Sequence, residues 1–181
     1  MNKKLYVAFA GFAAASLVLT SCSSSDDTAA TDTGKACVIL PDSQSSDRWE
    51  NQDRPAIQSA LEGAGFTTDI QNAQGDTTQY LTIGDQMLAG GCGVMVLVDL
   101  NGSCATVGEK AKAQGIPVIA YDRPFAPADY YVSFDNVKVG QLQGEGLLKC
   151  LGDNGVDPAS ASVVFLNGSP TDGNAAMFKE G

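Results

Sequence analysis

From residue 36 onward, short apolar runs alternate with longer stretches whose apolar positions recur every three or four residues. Residues 36–41 (ACVILP) are apolar at every position, as in a strand covered on both faces. Residues 55–64 (PAIQSALEGA) have helical spacing, with Pro55 at the start and Gly63 and Gly65 at the end. A second strand is predicted over 66–71 and a helix over 77–88, with Asp76 as its N-cap and Gly90-Gly91 as its stop. The run GVMVLVDL (93–100) predicts a third strand, followed by a helix over 103–114. IPVIAY (116–121) and YYVSF (130–134) predict the fourth and fifth strands, and 137–151 a longer helix. After the loop GDNGVDPAS, the run ASVVFLNG (161–168) predicts a sixth strand leading into a final helical stretch. Strands alternating with helices at this spacing predict an α/β fold, a doubly wound parallel sheet with helices on both faces.

The carboxyl ends of the predicted strands share a chemistry. They read PDSQSSDRWENQDRP, DLNGS, YDRP, FDN and NGSPTDGN. Ligands of open α/β sheets bind at these ends. Arg, Asp and Asn hydrogen-bond in planar, often bidentate fashion, which suits vicinal hydroxyls, and the indole of Trp49 suits the C–H face of a sugar ring. The greasy fourth strand stops abruptly in Asp122-Arg123-Pro124. That pair fits either a surface ion pair capping the strand or the wall of a site. GQLQGEG (140–146) lacks dinucleotide-binding spacing and reads as close helix packing.

Composition narrows the function classes. Eleven Lys and Arg against 21 Asp and Glu give a net charge of −10, a field that repels phosphate backbones and argues against nucleic acid as a partner. The absence of histidine removes the commonest general base and zinc ligand. A G-x-S-x-G elbow, which an exported α/β hydrolase would need, is also missing. None of the five cysteines has C-x-x-C spacing, so no metal site is expected, and nothing in the chain implies a cofactor or an enzyme.

The first residues carry an address. Lys3 and Lys4 precede an apolar stretch over 5–19, of signal-peptide length and too short for a confident membrane span. It ends in Leu19-Thr20-Ser21-Cys22, which resembles the lipobox of bacterial lipoproteins. That resemblance implies cleavage before Cys22 and lipidation of its sulfur. Residues 23–35 are small, polar and charged, the composition of a flexible tether. Outside the cytoplasm cysteines pair, and Cys37, Cys92, Cys104 and Cys150 allow three connectivities. They are expected to pair or to sit buried.

Four segments, PDSQSSDRWENQDRP, GIPVIAYDRP, YYVSFDNVKVGQLQGEGL and LNGSPTDGNAAMFKEG, occur in order at matching intervals. Together they resemble the xylose-type sugar-binding lipoproteins of bacterial ABC importers, which have the type I periplasmic-binding-protein fold. The resemblance runs from about Cys37 to the end. It implies an extracytoplasmic, lipid-anchored protein that captures a monosaccharide between two α/β lobes and delivers it to ABC permease subunits. It implies signal peptide and lipobox over 1–22, tether over 23–35, the N-terminal lobe over 36–151, and crossover plus the start of a truncated second lobe over 152–181. Carried over position by position, it makes Arg48, Asp122 and Arg123 sugar contacts from the first lobe and Asp172 and Asn174 contacts from the second. Helix capping is a second role open to Asp172 and Asn174, and the two roles can coexist. Trp49 fits a cleft wall or a packing position. Asp135 and Asn136 fit the inter-lobe crossover, and Tyr121 the core. Asp99 and Asn101 are weaker ligand candidates.

Two departures stand out. Gly173 takes a position where the family shows asparagine, and the family's later contacts (a stacking tryptophan, an asparagine, an aspartate and a lysine) have no counterpart here. The chain is therefore expected to be an N-terminal piece. A sensor presenting sugar to a membrane signalling receptor is the alternative role. The lactose-repressor type shares the fold but would need a DNA-binding helix-turn-helix, which the export signal and acid excess oppose.

Overall fold

The computed structural model describes residues 34–181. The signal segment, Cys22 and nearly all of the tether lie outside the described residues. Five strands, β1 (Lys35–Leu40), β2 (Thr67–Asn72), β3 (Val94–Leu97), β4 (Val118–Tyr121) and β5 (Tyr130–Val132), form one sheet in the order β2-β1-β3-β4-β5. Every neighbouring pair is parallel. The order reverses direction between β1 and β3, which opens a crevice at their carboxyl ends, the switch point of a doubly wound sheet.

The helices are α1 (Arg54–Gly63), α2 (Thr77–Ala89), α3 (Ser103–Ala113), α4 (Asn136–Asp153) and α5 (Gly173–Glu180). Period-two alternation along β1 and β3 divides the core. Cys37, Ile39, Met95 and Leu97 face Tyr80, Ile83 and Met87 of α2 and Val107 of α3. Val38, Leu40, Val96 and Val98 face the other way, onto Trp49 and onto Ile57 and Leu61 of α1. Ala36 through Leu40 are fully buried, so the all-apolar reading of this strand holds. Each large aliphatic side chain buried this way contributes about 1.5–3 kcal/mol relative to exposure. The α2–α3 contact is close at Gly84, where an added Cβ would fall 2.6 Å from a methyl of Val107. Asp76 caps α2 as expected, accepting from the amides of Thr78 and Gln79 at 2.7 and 3.1 Å.

Three expectations are corrected. First, the helical path ahead of α1 starts sooner than residue 55, with a π-helical turn over Trp49–Asp53. The Pro55 ring would clash with the Asn51 carbonyl in a regular turn, and the wider turn, closed by the Arg54 amide donating to the Trp49 carbonyl, gives it room. Second, residues 161–168 form no strand. Val164, Phe165 and Leu166 are 83%, 70% and 96% exposed. An apolar run makes a strand only where a neighbour takes up its backbone groups, and none of the described strands lies beside this one. Third, Cys150 neither pairs nor sits buried; it is free and exposed on α4.

The principal packing partner of α4 is α5. Gly140 makes their approach possible, since a Cβ there would sit 2.1 Å from the carbonyl oxygen of Phe178. The close-packing reading of GQLQGEG therefore holds at Gly140. At Gly144 and Gly146 an added Cβ would meet nothing.

Cys37 and Cys92 form a disulfide with a Cα–Cα distance of 5.9 Å, tying β1 to the turn that precedes β3. Cys104 is buried beside the hydroxyl of Tyr80 at 2.9 Å, and burial pushes its thiol well above its ordinary pKa. The disulfide closes 55 residues of chain. Replacing both Cys37 and Cys92 with Ala should cost about 2–4 kcal/mol of unfolding free energy, measured by urea denaturation.

Candidate functional site

The loop after β1 is organised by Asp42, which is 4% exposed. Its carboxylate accepts from the amides of Gln44 and Ser45 and from the Ser45 hydroxyl at 2.8, 2.5 and 2.9 Å. Ser45 is thereby held where its Oγ accepts from Nε1 of Trp49 at 3.4 Å and from Nη2 of Arg123 at 3.3 Å. The next helical turn brings in Trp49, only 2% exposed and part of the core, and Arg48, whose guanidinium lies 4.2 Å from the indole centroid. Arg123 approaches the same ring at 5.4 Å.

The end of β4 supplies the opposite charge. Asp122 adopts φ +64°, a left-handed conformation that residues with a Cβ rarely take. It receives Arg48 Nη2 on Oδ1 at 2.6 Å, and Arg48 Nε stands 3.1 Å from Asp53 Oδ2. Burial pulls the Arg48 pKa down, but the hydrogen bond and charge of Asp122, with Asp53 behind, outweigh it and hold the guanidinium above its ordinary value. Tyr121 packs against the core and donates to Asp53 at 3.1 Å; burial and the Asp53 charge raise its phenol.

Arg123, 2% exposed, donates Nη1 to the Asp99 carbonyl at 2.9 Å, and its Nε faces Asp172 at 3.2 Å. Asp172 caps α5 through the amide of Asn174 at 2.9 Å. Asn174 points its Nδ2 back at Asp122, 3.2 Å from the carbonyl oxygen and 3.0 Å from Oδ2, while its Oδ1 is buried without a partner. Arg48, Asp122, Arg123, Asp172, Asn174 and Trp49 thus come together. They border a cavity of about 210 Å³ that is also lined by Ser45, Ser46, Phe134 and Phe178.

Other candidates take structural roles. The Asp99 carboxylate ties down the turn into α3 by accepting from Gly102 and Cys104 amides, and Asn101 is an exposed turn residue at φ +50°. Asp135 caps α4 by accepting from Lys138. The sequence reading missed Phe134 and Phe178, whose rings stack at a centroid distance of 6.5 Å, and also Asp42 and Asp53. Both phenylalanines lie in segments singled out above, but no single-sequence signal pairs positions so far apart. A larger groove of about 480 Å³ lies between α4, α5 and residues 163–168. Its walls include Leu147, Val164, Phe165 and Leu166, and none of the paired Arg and Asp side chains reaches it.

A balanced set of forked donors and carboxylates at a sheet's switch point has known relatives. Residues 37–181 match the periplasmic binding protein domain. The chain belongs to this family. It is 36% identical over 157 residues to the multiple sugar-binding periplasmic receptor ChvE of Rhizobium radiobacter, covering 84% of this chain and 43% of that protein. It is 33% identical over 138 residues to the D-xylose-binding periplasmic protein of Escherichia coli, covering 75% and 39%. Among solved structures, an ABC transporter solute binding protein from Clostridium phytofermentans with bound β-D-glucose superposes with a TM-score of 0.66 at 34% identity, covering 80% of this chain and 45% of that one. The chain spans half or less of the length of these relatives. Such relatives are substrate-binding proteins, periplasmic by name, and the periplasmic-binding-protein fold expected from the sequence is the one observed.

Asp42 is the buried charge on which the loop after β1 depends. Asp42→Ala should cost about 1–3 kcal/mol of stability by chemical denaturation, with faster hydrogen exchange at the amides of Gln44 and Ser45.

Proposed function

We propose that this periplasmic binding protein captures a neutral monosaccharide, a xylose-like pentose or a related sugar, between two lobes and delivers it to an ABC importer. It performs no chemistry on the sugar. The observation that carries the reading is the charge balance of the cavity. Arg48 and Arg123 face Asp53, Asp122 and Asp172, so neither cation is left over for an anionic ligand. What the site offers instead is hydrogen-bonding edges of both polarities at close quarters, with the aromatic edges of Phe134 and Phe178 beside them. A polyhydroxylated ring, donor and acceptor at each hydroxyl, fits that pattern better than a carboxylate does. The names of the relatives support the sugar class.

The lobe division belongs to the same proposal: residues 36–151 as the first lobe and the rest as crossover and start of a second. α4 closes that first lobe and packs chiefly on α5, so the two parts meet along this helix pair. We infer further that Cys22 carries a lipid that holds the protein on the extracytoplasmic face of the membrane. Leu19-Thr20-Ser21-Cys22 supports it.

Titration calorimetry against pentoses, hexoses and their uronic acids tests the ligand class. Neutral sugars should bind and the acids should not; tighter binding of an acid overturns the charge argument. Charged hydrogen bonds are worth about 1.5–3 kcal/mol each, so Arg123→Ala should weaken the preferred sugar by about ten- to a hundredfold. Arg123→Lys should not restore it, because an ammonium lacks the planar fork. For the anchor, Cys22→Ala should move the protein from the membrane fraction to the soluble fraction.

A further inference from the structure

We propose that Tyr131 is a positioning residue for ligand binding, acting through the main chain of Asp122; the proposal rests on the sugar-binding reading above. Tyr131 does not line the cavity. It sits on the edge strand β5, about half exposed, so its ring contributes little to the core. Its hydroxyl, however, donates to the carbonyl oxygen of Asp122 at 3.1 Å. The same oxygen accepts from Asn174 Nδ2 of α5 at 3.2 Å, and the Asp122 amide donates to Val132 at 2.9 Å. The backbone on both sides of the Asp122 Cα is thus held, from the sheet through Val132 and Tyr131 and from α5 through Asn174.

That backbone needs holding. Asp122 sits at φ +64°, which is unfavourable for a residue with a Cβ and persists only where surroundings over-determine it. The backbone angle in turn aims the carboxylate that meets Arg48 and Asn174. The phenol is itself supported from behind. Asn136, 3% exposed at the start of α4, donates Nδ2 to the Tyr131 hydroxyl at 3.4 Å and to the Phe134 carbonyl at 3.3 Å. Its Oδ1 is buried without a partner, so the amide is fixed by its Nδ2 end alone. A relay therefore runs from Asn136 through Tyr131 to Asp122 and Asn174, joining the segment between β5 and α4 to the site.

The test uses the whole protein with Tyr131→Phe, Asn136→Ala and the double variant. Trp49 is the one tryptophan of the chain and borders the cavity, so its emission reports sugar binding in stopped flow. Loss of positioning should raise the dissociation rate about tenfold and leave association within about twofold. The double variant should dissociate no faster than Tyr131→Phe, since Asn136 acts through the hydroxyl that is already gone; independent effects would multiply. The melting temperature of ligand-free Tyr131→Phe should match the wild type, as a merely structural role would lower it without touching the rates. Unchanged dissociation, or effects that multiply, overturn the proposal. A second measurement needs no sugar: in ligand-free Tyr131→Phe the Asp122 amide should exchange about tenfold faster, with β1 amides unchanged. If wild type binds none of the sugars, the sugar-binding reading fails; if Asp122 exchange does not change, the positioning role fails whatever the ligand.

Discussion

Asp122 concentrates more of this molecule's polar geometry than any neighbour. Its amide is tied to β5, its carbonyl to Tyr131 and Asn174, and its carboxylate to Arg48 and Asn174. β4 delivers it to the crevice, and the left-handed turn at this one residue separates a buried strand from a buried arginine. If Asp122 relaxed to an extended conformation, its carboxylate would leave Arg48, and Arg123 would be re-aimed with it. The sheet exists independently of that turn. The site does not.

Arg123 shows why the surrounding loop is so heavily bonded. A guanidinium at 2% exposure is tolerable only if it is paired and hydrogen-bonded. The Asp99 carbonyl and the Ser45 hydroxyl accept from its two terminal nitrogens, the Asp172 carboxylate balances its charge across 3.2 Å from Nε, and each comes from a different segment of the chain. Ser45 can serve only because Asp42 has frozen its loop, and Asp172 only because it also caps α5. Capping and ion pairing are thus compatible through one carboxylate. Trp49 resolves in the same way, as both core residue and cavity wall. With the ring so deeply buried and Arg48 stacked on it, its main service is to hold a cation in place.

What could be read from the sequence was whatever is decided locally or by period. The five strands, the caps at Asp76 and Asp172 and the convergence of Arg48, Asp122 and Arg123 at strand ends all follow from alternation, cap chemistry and the switch-point rule. The sixth strand failed because the apolar run at 161–168 states a preference that only a neighbouring strand can satisfy. The four cysteines allowed three fully paired connectivities, of which the structure forms only the Cys37–Cys92 bond, and that choice depends on the turn before β3 lying alongside β1. Phe134 and Phe178 were illegible for the same reason: their meeting is a property of how α4 lies on α5, which Gly140 permits and no local pattern announces.

The pairing within the site also bears on how a ligand could enter it. Arg48 with Asp122 and Arg123 with Asp172 already balance one another's charge, and Asn174 already donates to Asp122, so a ligand gains only what exceeds those interactions and the water it displaces. A ligand carrying a charge would have to break one of these pairs and strand its partner, at the high cost of an uncompensated buried ion. A neutral polyol can insert between them, accepting from an arginine while donating to a carboxylate, and leave every charge compensated. Among the cavity-lining residues, Oδ1 of Asn174 is a buried acceptor and Nε of Arg123 a buried donor that make no hydrogen bond. A hydroxyl, donor and acceptor at once, placed between them would remove existing penalties and displace no existing bond, which is what a neutral polyol offers and an anion does not.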